Sequence, residues 1–121
     1  MLDAYDDPIG VTAAFNLNLL ARINRELAGD FILEEFEHQA RFNYEARSVE
    51  MHLRSRANQT VTIPGAGISV KLREDETIWT ESSHKFSLAE VVQTGKQAGF
   101  RCKNQWTDDE WPFAENLLIA A

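Results

Sequence analysis

The sequence predicts an α+β polypeptide, with helices first, an antiparallel β-meander next, then a helix and a closing antiparallel strand pair. Two observations carry that prediction. Apolar residues recur every four positions from Phe15 to Leu27, then alternate with polar ones in short runs between Val49 and Leu72. After Ser87 the helical spacing returns, followed by two more extended runs. With 121 residues, 44% of them hydrophobic and 26% charged, the chain has enough apolar material for a modest core and is not expected to be disordered.

The first helix rests on Phe15, Leu19, Ile23 and Leu27, with Leu20 beside them, while Asn18, Arg22, Arg25 and Glu26 point elsewhere. Thr12 is its expected N-cap and Gly29 its expected stop, giving about 16 residues. Asp30 reads as the cap of a short second helix through Phe36, with Glu34, Glu35 and Glu37 as a solvated acidic patch. A strand ending in Asn43-Tyr44-Glu45 precedes residues 49–54, where Val49, Met51 and Leu53 share the inner face. Glu50, His52 and Arg54 then share a solvated one. Residues 60–63 and 68–72 alternate likewise, joined by Pro64-Gly65-Ala66-Gly67 as a hairpin connection. Residues 76–82 add an extended segment. Ser87-Leu88-Ala89-Glu90 is a capping box, Leu88, Val91, Val92 and Ala98 form the apolar stripe behind it, and Gly99 ends that helix. Residues 100–106 and 113–120 are the closing strands, around a turn containing Asp108, Asp109 and Pro112.

Several functions are disfavoured by what the chain contains. A formal charge of −7, with Lys and Arg scattered, opposes nucleic-acid binding, which needs a basic surface. The longest apolar runs, such as Leu117-Leu118-Ile119-Ala120-Ala121, fall far short of the roughly 20 residues that span a bilayer. No basic segment followed by an apolar one marks a secretory signal. The one cysteine, Cys102, reads as a packed core thiol and suits a reducing cytoplasm. No metal site is expected: His38, His52 and His84 are widely spaced, and neither CxxC nor HExxH occurs. Ser82-Ser83-His84 are neighbours in sequence rather than a triad assembled across a fold, and no GxSxG elbow exists. Gly65-Ala66-Gly67 opens no helix, so it is no phosphate cradle. Asp6-Asp7 before Pro8 reads as a turn. Tyr5, Met51 and Glu81 remain as side chains suited to a small polar ligand.

Longer stretches resemble a known family. Tyr5-Asp6-Asp7, Gly10-Val11-Thr12-Ala13-Ala14-Phe15-Asn16-Leu17-Asn18-Leu19-Leu20 and Ile23-Asn24-Arg25-Glu26-Leu27 are similar to the signature of the histidine N-alpha-methyltransferases. Val49-Glu50-Met51-His52-Leu53, Thr80-Glu81-Ser82-Ser83-His84-Lys85-Phe86 and Trp106-Thr107-Asp108 resemble its later motifs. That family trimethylates the amine of histidine with S-adenosylmethionine, the first step of ergothioneine synthesis. The resemblance implies that Tyr5 contacts the substrate carboxylate, that Met51 lies beside the imidazole, and that Glu81 with Ser83 hydrogen-bonds the ring. It also implies a division into a substrate region over residues 1–86 and the last helix and strand pair of a methyltransferase sheet over residues 87–121.

The same resemblance marks a departure. A methyl-donor site needs a glycine-rich strand-to-helix turn on a parallel sheet, and none of the six glycines is so arranged. The chain is therefore expected to bind no S-adenosylmethionine, to have no catalytic residue of its own and to transfer no methyl group alone. L-Histidine or a similar amino acid is the expected ligand, and a methyltransferase region supplied from elsewhere is a possible partner. Two rivals stand beside this reading. One is a non-catalytic amino-acid-binding module; the other is a structural fragment without a ligand, which would expose apolar faces and self-associate.

Overall fold

Residues 2–121 are described in a computed structural model, and Met1 lies outside them. They form two units, one ending at His84 and the other spanning Lys85–Ala121. In the first, helix α1 covers Val11–Leu27. Its cap is Asp7 rather than Thr12. Gly10, at φ +82°, turns the chain so that the Asp7 carboxylate accepts the Val11 N–H at 3.0 Å and the Thr12 N–H at 2.9 Å. One carboxylate thus satisfies two of the helix's orphan donors, whereas Thr12 is itself one of those donors. The Thr12 amide and hydroxyl, and then the Val11 amide, hold the Asp7 carboxyl at about 2. At the other end the left-handed residue is Ala28, one position before the expected glycine.

The buried face of α1 also differs from expectation. Leu20 and Asn16 are buried, Leu17 and Ile23 pack at the edge of the core, and Phe15 is 67% exposed with Leu19 and Leu27 also outward. A strict spacing of four advances roughly 40° around a 3.6-residue helix at each step, so no single face can hold the whole series. Asp30 caps no helix. Its carboxylate accepts the Thr62 N–H at 2.7 Å and its own N–H reaches the Thr62 carbonyl, which ties the loop to the strand that carries Thr62. Only a 3₁₀ turn, Leu33–Glu35, follows, and the chain is already a strand at Phe36. Phe31 and Phe36 pack edge to face with ring centres 5.6 Å apart, burying both rings where a helix was expected.

Five strands complete the unit: β1 (Phe36–Asn43), β2 (Ser48–Ser55), β3 (Gln59–Ile63), β4 (Ile68–Leu72) and β5 (Thr77–His84). They do not form one meander. β1, β2 and β5 make an antiparallel sheet in the order β1-β2-β5, and β3–β4 is a separate hairpin inserted between β2 and β5. The turn of that hairpin passes so close to α1 that a Cβ on Gly65 would lie 2.7 Å from the Leu27 backbone, and only glycine fits there. Leu20, Phe31, Phe36, Leu53, Val61, Ile63 and Leu72 form the core between α1, the sheet and the hairpin. The acidic patch is partly engaged: Glu37 lies in β1 and pairs with Arg54.

In the second unit, helix α2 (Leu88–Gln97) begins with the predicted capping box. Ser87 Oγ accepts the Glu90 N–H, and the Glu90 carboxylate accepts the Ser87 N–H at 2.7 Å. Gly95 is buried against Leu118, and Gly99, at φ +82°, turns the chain into the strand that follows. β6 (Phe100–Thr107) pairs antiparallel with β7 (Ala114–Ala120). Gln105 ties the pair to α2, its amide donating to the Leu88 carbonyl at 3.1 Å. Cys102 is half-buried beside the Asn104 carbonyl rather than packed in a core. No helix among the described residues is long and apolar enough to cross a membrane.

Candidate functional site

A break in the β2–β5 ladder builds the site. Leu53 pairs with Ile78 and His52 with Trp79, yet Met51 pairs with Glu81, so Thr80 is an extra residue. Opposite residues of an antiparallel pair share a face. In a regular strand, residues 80 and 82 would therefore share Ile78's face. The bulge reverses the alternation, and Glu81 with Ser83 joins Ile78, Leu53, Met51 and Val49 instead. The Thr80 hydroxyl secures the distortion by donating to the Met51 carbonyl at 2.9 Å. Facing side chains in such a pair have Cβ atoms about 5 Å apart, so the Glu81 carboxylate and the Met51 thioether are neighbours.

Tyr5 reaches this face from the N-terminal turn. Its hydroxyl shares a hydrogen bond with Ser83 Oγ at 2.8 Å. Its carbonyl lies 2.7 Å from His38 Nε2 on β1, and His38 Nδ1 lies 2.9 Å from the Asn16 side-chain nitrogen. Asn16, only 3% exposed, also donates to the His52 carbonyl at 3.2 Å. Tyr5, Met51, Glu81 and Ser83 thus lie on one side of one sheet, with Glu81 exposed, Met51 buried at 5% exposure and the other two half-buried. Such a group offers one anionic acceptor, two hydroxyls and a soft apolar contact, which suits a small ligand bearing an N–H-rich ring.

The opposite face carries a second polar group. His52 was expected to be solvated but is 2% exposed, and Glu50 is 6% exposed. The Glu50 carboxylate accepts from Asn43 at 2.8 Å, from Arg41 Nε at 3.3 Å and pairs with His52 Nε2 at 3.0 Å. Thr77 lies 3.2 Å from His52 Nδ1, and Trp79 stacks over the imidazole at 6.1 Å between centroids. Bonds from Asn43 and then His52 hold the Glu50 carboxyl below the usual carboxylate range. Full pairing of its ring nitrogens explains why His52 can be buried on the face expected to be polar.

Asn16 and His38 were missed as members of the site. Asn16 falls between two apolar ridges of α1, and only its burial distinguishes it from Asn18. His38 was weighed only as a metal ligand, and nothing in the sequence pairs it with Tyr5, 33 residues earlier. A surface groove lies elsewhere, at the open end of β3–β4 between Thr60, Lys71, Arg73 and Glu74, and holds none of the four predicted residues.

The family described as histidine-specific, S-adenosylmethionine-dependent methyltransferases matches residues 1–120. A histidine N-alpha-methyltransferase of Mycolicibacterium smegmatis is 42% identical over 119 residues, which is 98% of this chain and 37% of that protein. One from Mycobacterium tuberculosis is 40% identical over 117 residues, covering 97% of this chain and 36% of the relative. The chain therefore spans little more than a third of the length of these relatives. Matched over nearly all of its residues, it belongs to the histidine-specific, S-adenosylmethionine-dependent methyltransferase family.

Proposed function

We propose that this chain is the amino-acid-binding portion of a methyltransferase that N-methylates L-histidine in a reducing cytoplasm, at the start of ergothioneine synthesis. The observation that carries it is the bulge at Thr80, which turns Glu81 and Ser83 onto the face of Met51 and beside Tyr5. In this reading Glu81 accepts one imidazole N–H, Ser83 meets the other ring nitrogen, Met51 packs on the ring and Tyr5 takes the carboxylate. A site that pairs both ring nitrogens discriminates against apolar side chains, which would strand its buried polar groups. Residues 1–86 form the substrate region, and 87–121 contribute a helix and strand pair to a methyltransferase core.

The described residues do not fit the methyl donor. Every strand pair is antiparallel, and each helix N-terminus is taken by a carboxylate, Asp7 on α1 and Glu90 on α2. No parallel strand leads into a glycine-rich turn. Binding and orientation of the amino acid are therefore the contribution of this chain, and its partner is the methyltransferase region that holds the donor.

The test is calorimetric titration of L-histidine into the purified chain. Saturable binding that disappears in Glu81→Ala is expected, with no turnover when S-adenosylmethionine is added. Methyl transfer by the chain alone, or no saturable binding, would sink the proposal. A second reading, a piece that needs a covering surface and self-associates without one, is favoured by one feature. Trp106 and Leu117 are exposed on one face of β6–β7, while Leu118 is on the other. Light scattering that shows mass rising with concentration would support it, and a constant monomer mass would oppose it.

A further inference from the structure

The hydrogen bonds running from α1 to Tyr5 have only one permitted direction each. A backbone carbonyl can only accept, so the group that Asn16 presents to the His52 carbonyl is its NH₂. The same NH₂ supplies its second proton to His38 Nδ1 at 2.9 Å. Nδ1 is then an acceptor, and the proton of the neutral ring sits on Nε2. From there it is donated to the Tyr5 carbonyl at 2.7 Å. The relay begins at a side chain 3% exposed, where water cannot replace a lost partner. Tyr5 is thereby held at both ends, its backbone by His38 and its phenol by Ser83.

We infer that Asn16 and His38 are positioning residues for recognition of the ligand's carboxylate, acting through Tyr5. The inference rests on the amino-acid reading above. His38 does not belong to the ring-recognition group, since its two nitrogens are committed to Asn16 and Tyr5. Its effect is confined to where the Tyr5 phenol stands. Loss of the Nε2 donor should weaken the carboxylate end of the site and spare the imidazole contacts of Met51 and Glu81.

Two ligands separate these ends: L-histidine, and histamine, which has the ring and amine but no carboxylate. In calorimetric titrations the wild-type chain should prefer L-histidine. His38→Phe should lose about tenfold in affinity for L-histidine, the cost of roughly one hydrogen bond, with histamine affinity unchanged. His38→Gln, whose amide N–H can stand where Nε2–H stood, should keep most of the preference. Equal weakening of both ligands in His38→Phe would mark a merely structural role and overturn the inference, as would an unchanged preference. If the variant does not fold, the ¹⁵N spectrum of the wild-type imidazoles decides: His38 must be the Nε2–H tautomer, and the Nδ1–H form breaks the relay. A wild-type chain that binds neither ligand overturns the amino-acid reading itself, whereas binding with the preference kept in His38→Phe overturns the relay alone.

Discussion

Replacing Asn16 by leucine keeps the shape of the side chain and removes both of its donors. His38 Nδ1 and the His52 carbonyl would each lose a partner now held at 2.9 and 3.2 Å. A stranded polar group costs about 1–3 kcal/mol where water cannot reach it, and a carbonyl that loses one of two possible partners costs about 1. Burying the leucine branches in place of an amide returns roughly 1–2 kcal/mol. The expected net loss is about 1.5 kcal/mol. With a urea dependence of about 1.5 kcal/mol per molar, typical for a small unit, the midpoint should fall by roughly 1 M. Amide NMR signals of β2 followed through a urea titration would report this unit alone. If the midpoint of Asn16→Leu is equal to or above that of the wild type, the buried amide is not the tie between α1, β1 and β2, and the reasoning fails.

Asp7 has a lowered carboxyl pKa, so the stability it lends α1 is complete above its unfolded value near 3.8 and is lost as pH falls through about 2. Helical circular dichroism should decline across that window, and Asp7→Asn should remove the Asp7 part of the decline; an unchanged acid profile would refute the cap. Gly65→Ala should destabilise by about 1–3 kcal/mol, because the new Cβ meets the Leu27 backbone rather than a movable side chain. A thermal midpoint equal to that of the wild type would show that the hairpin turn yields without strain.

Much of the fold was legible because it depends on local chemistry. The Ser87–Glu90 box and the alternation in residues 49–54, 60–63 and 68–72 each specify an element within a few residues. What escaped was decided by distant partners. Phe31 and Phe36 gain more by packing on each other in the core than Asp30 gains by capping a turn, and Asp30 is used at Thr62 instead. His52 alternates as a surface residue should, and it is Glu50, Thr77, Arg41 and Trp79 that make its burial possible. Alternation put Met51 on the inner face, but Ser83, and the roles given to Met51 and Glu81, came through resemblance. No pattern in Trp79-Thr80-Glu81-Ser82-Ser83 announces a bulge, so alternation alone sends Glu81 to the wrong side.

Strand β2 is buried on both faces, and that has a consequence for how the sheet finds its alignment. Sliding β2 by one residue would drive Glu50 and His52 toward the Leu53 side and turn Met51 out among Asn43 and Arg41. A one-residue slip thus strands a carboxylate in an apolar layer and breaks its bonds to Asn43 and Arg41 at once. The charged group on the rear of the sheet works as a lock against slippage, and it secures the face of Met51 and Glu81 without touching it. Conservative changes at Glu50 should therefore be felt on the far side of the strand, as lost alignment of Met51 with Glu81.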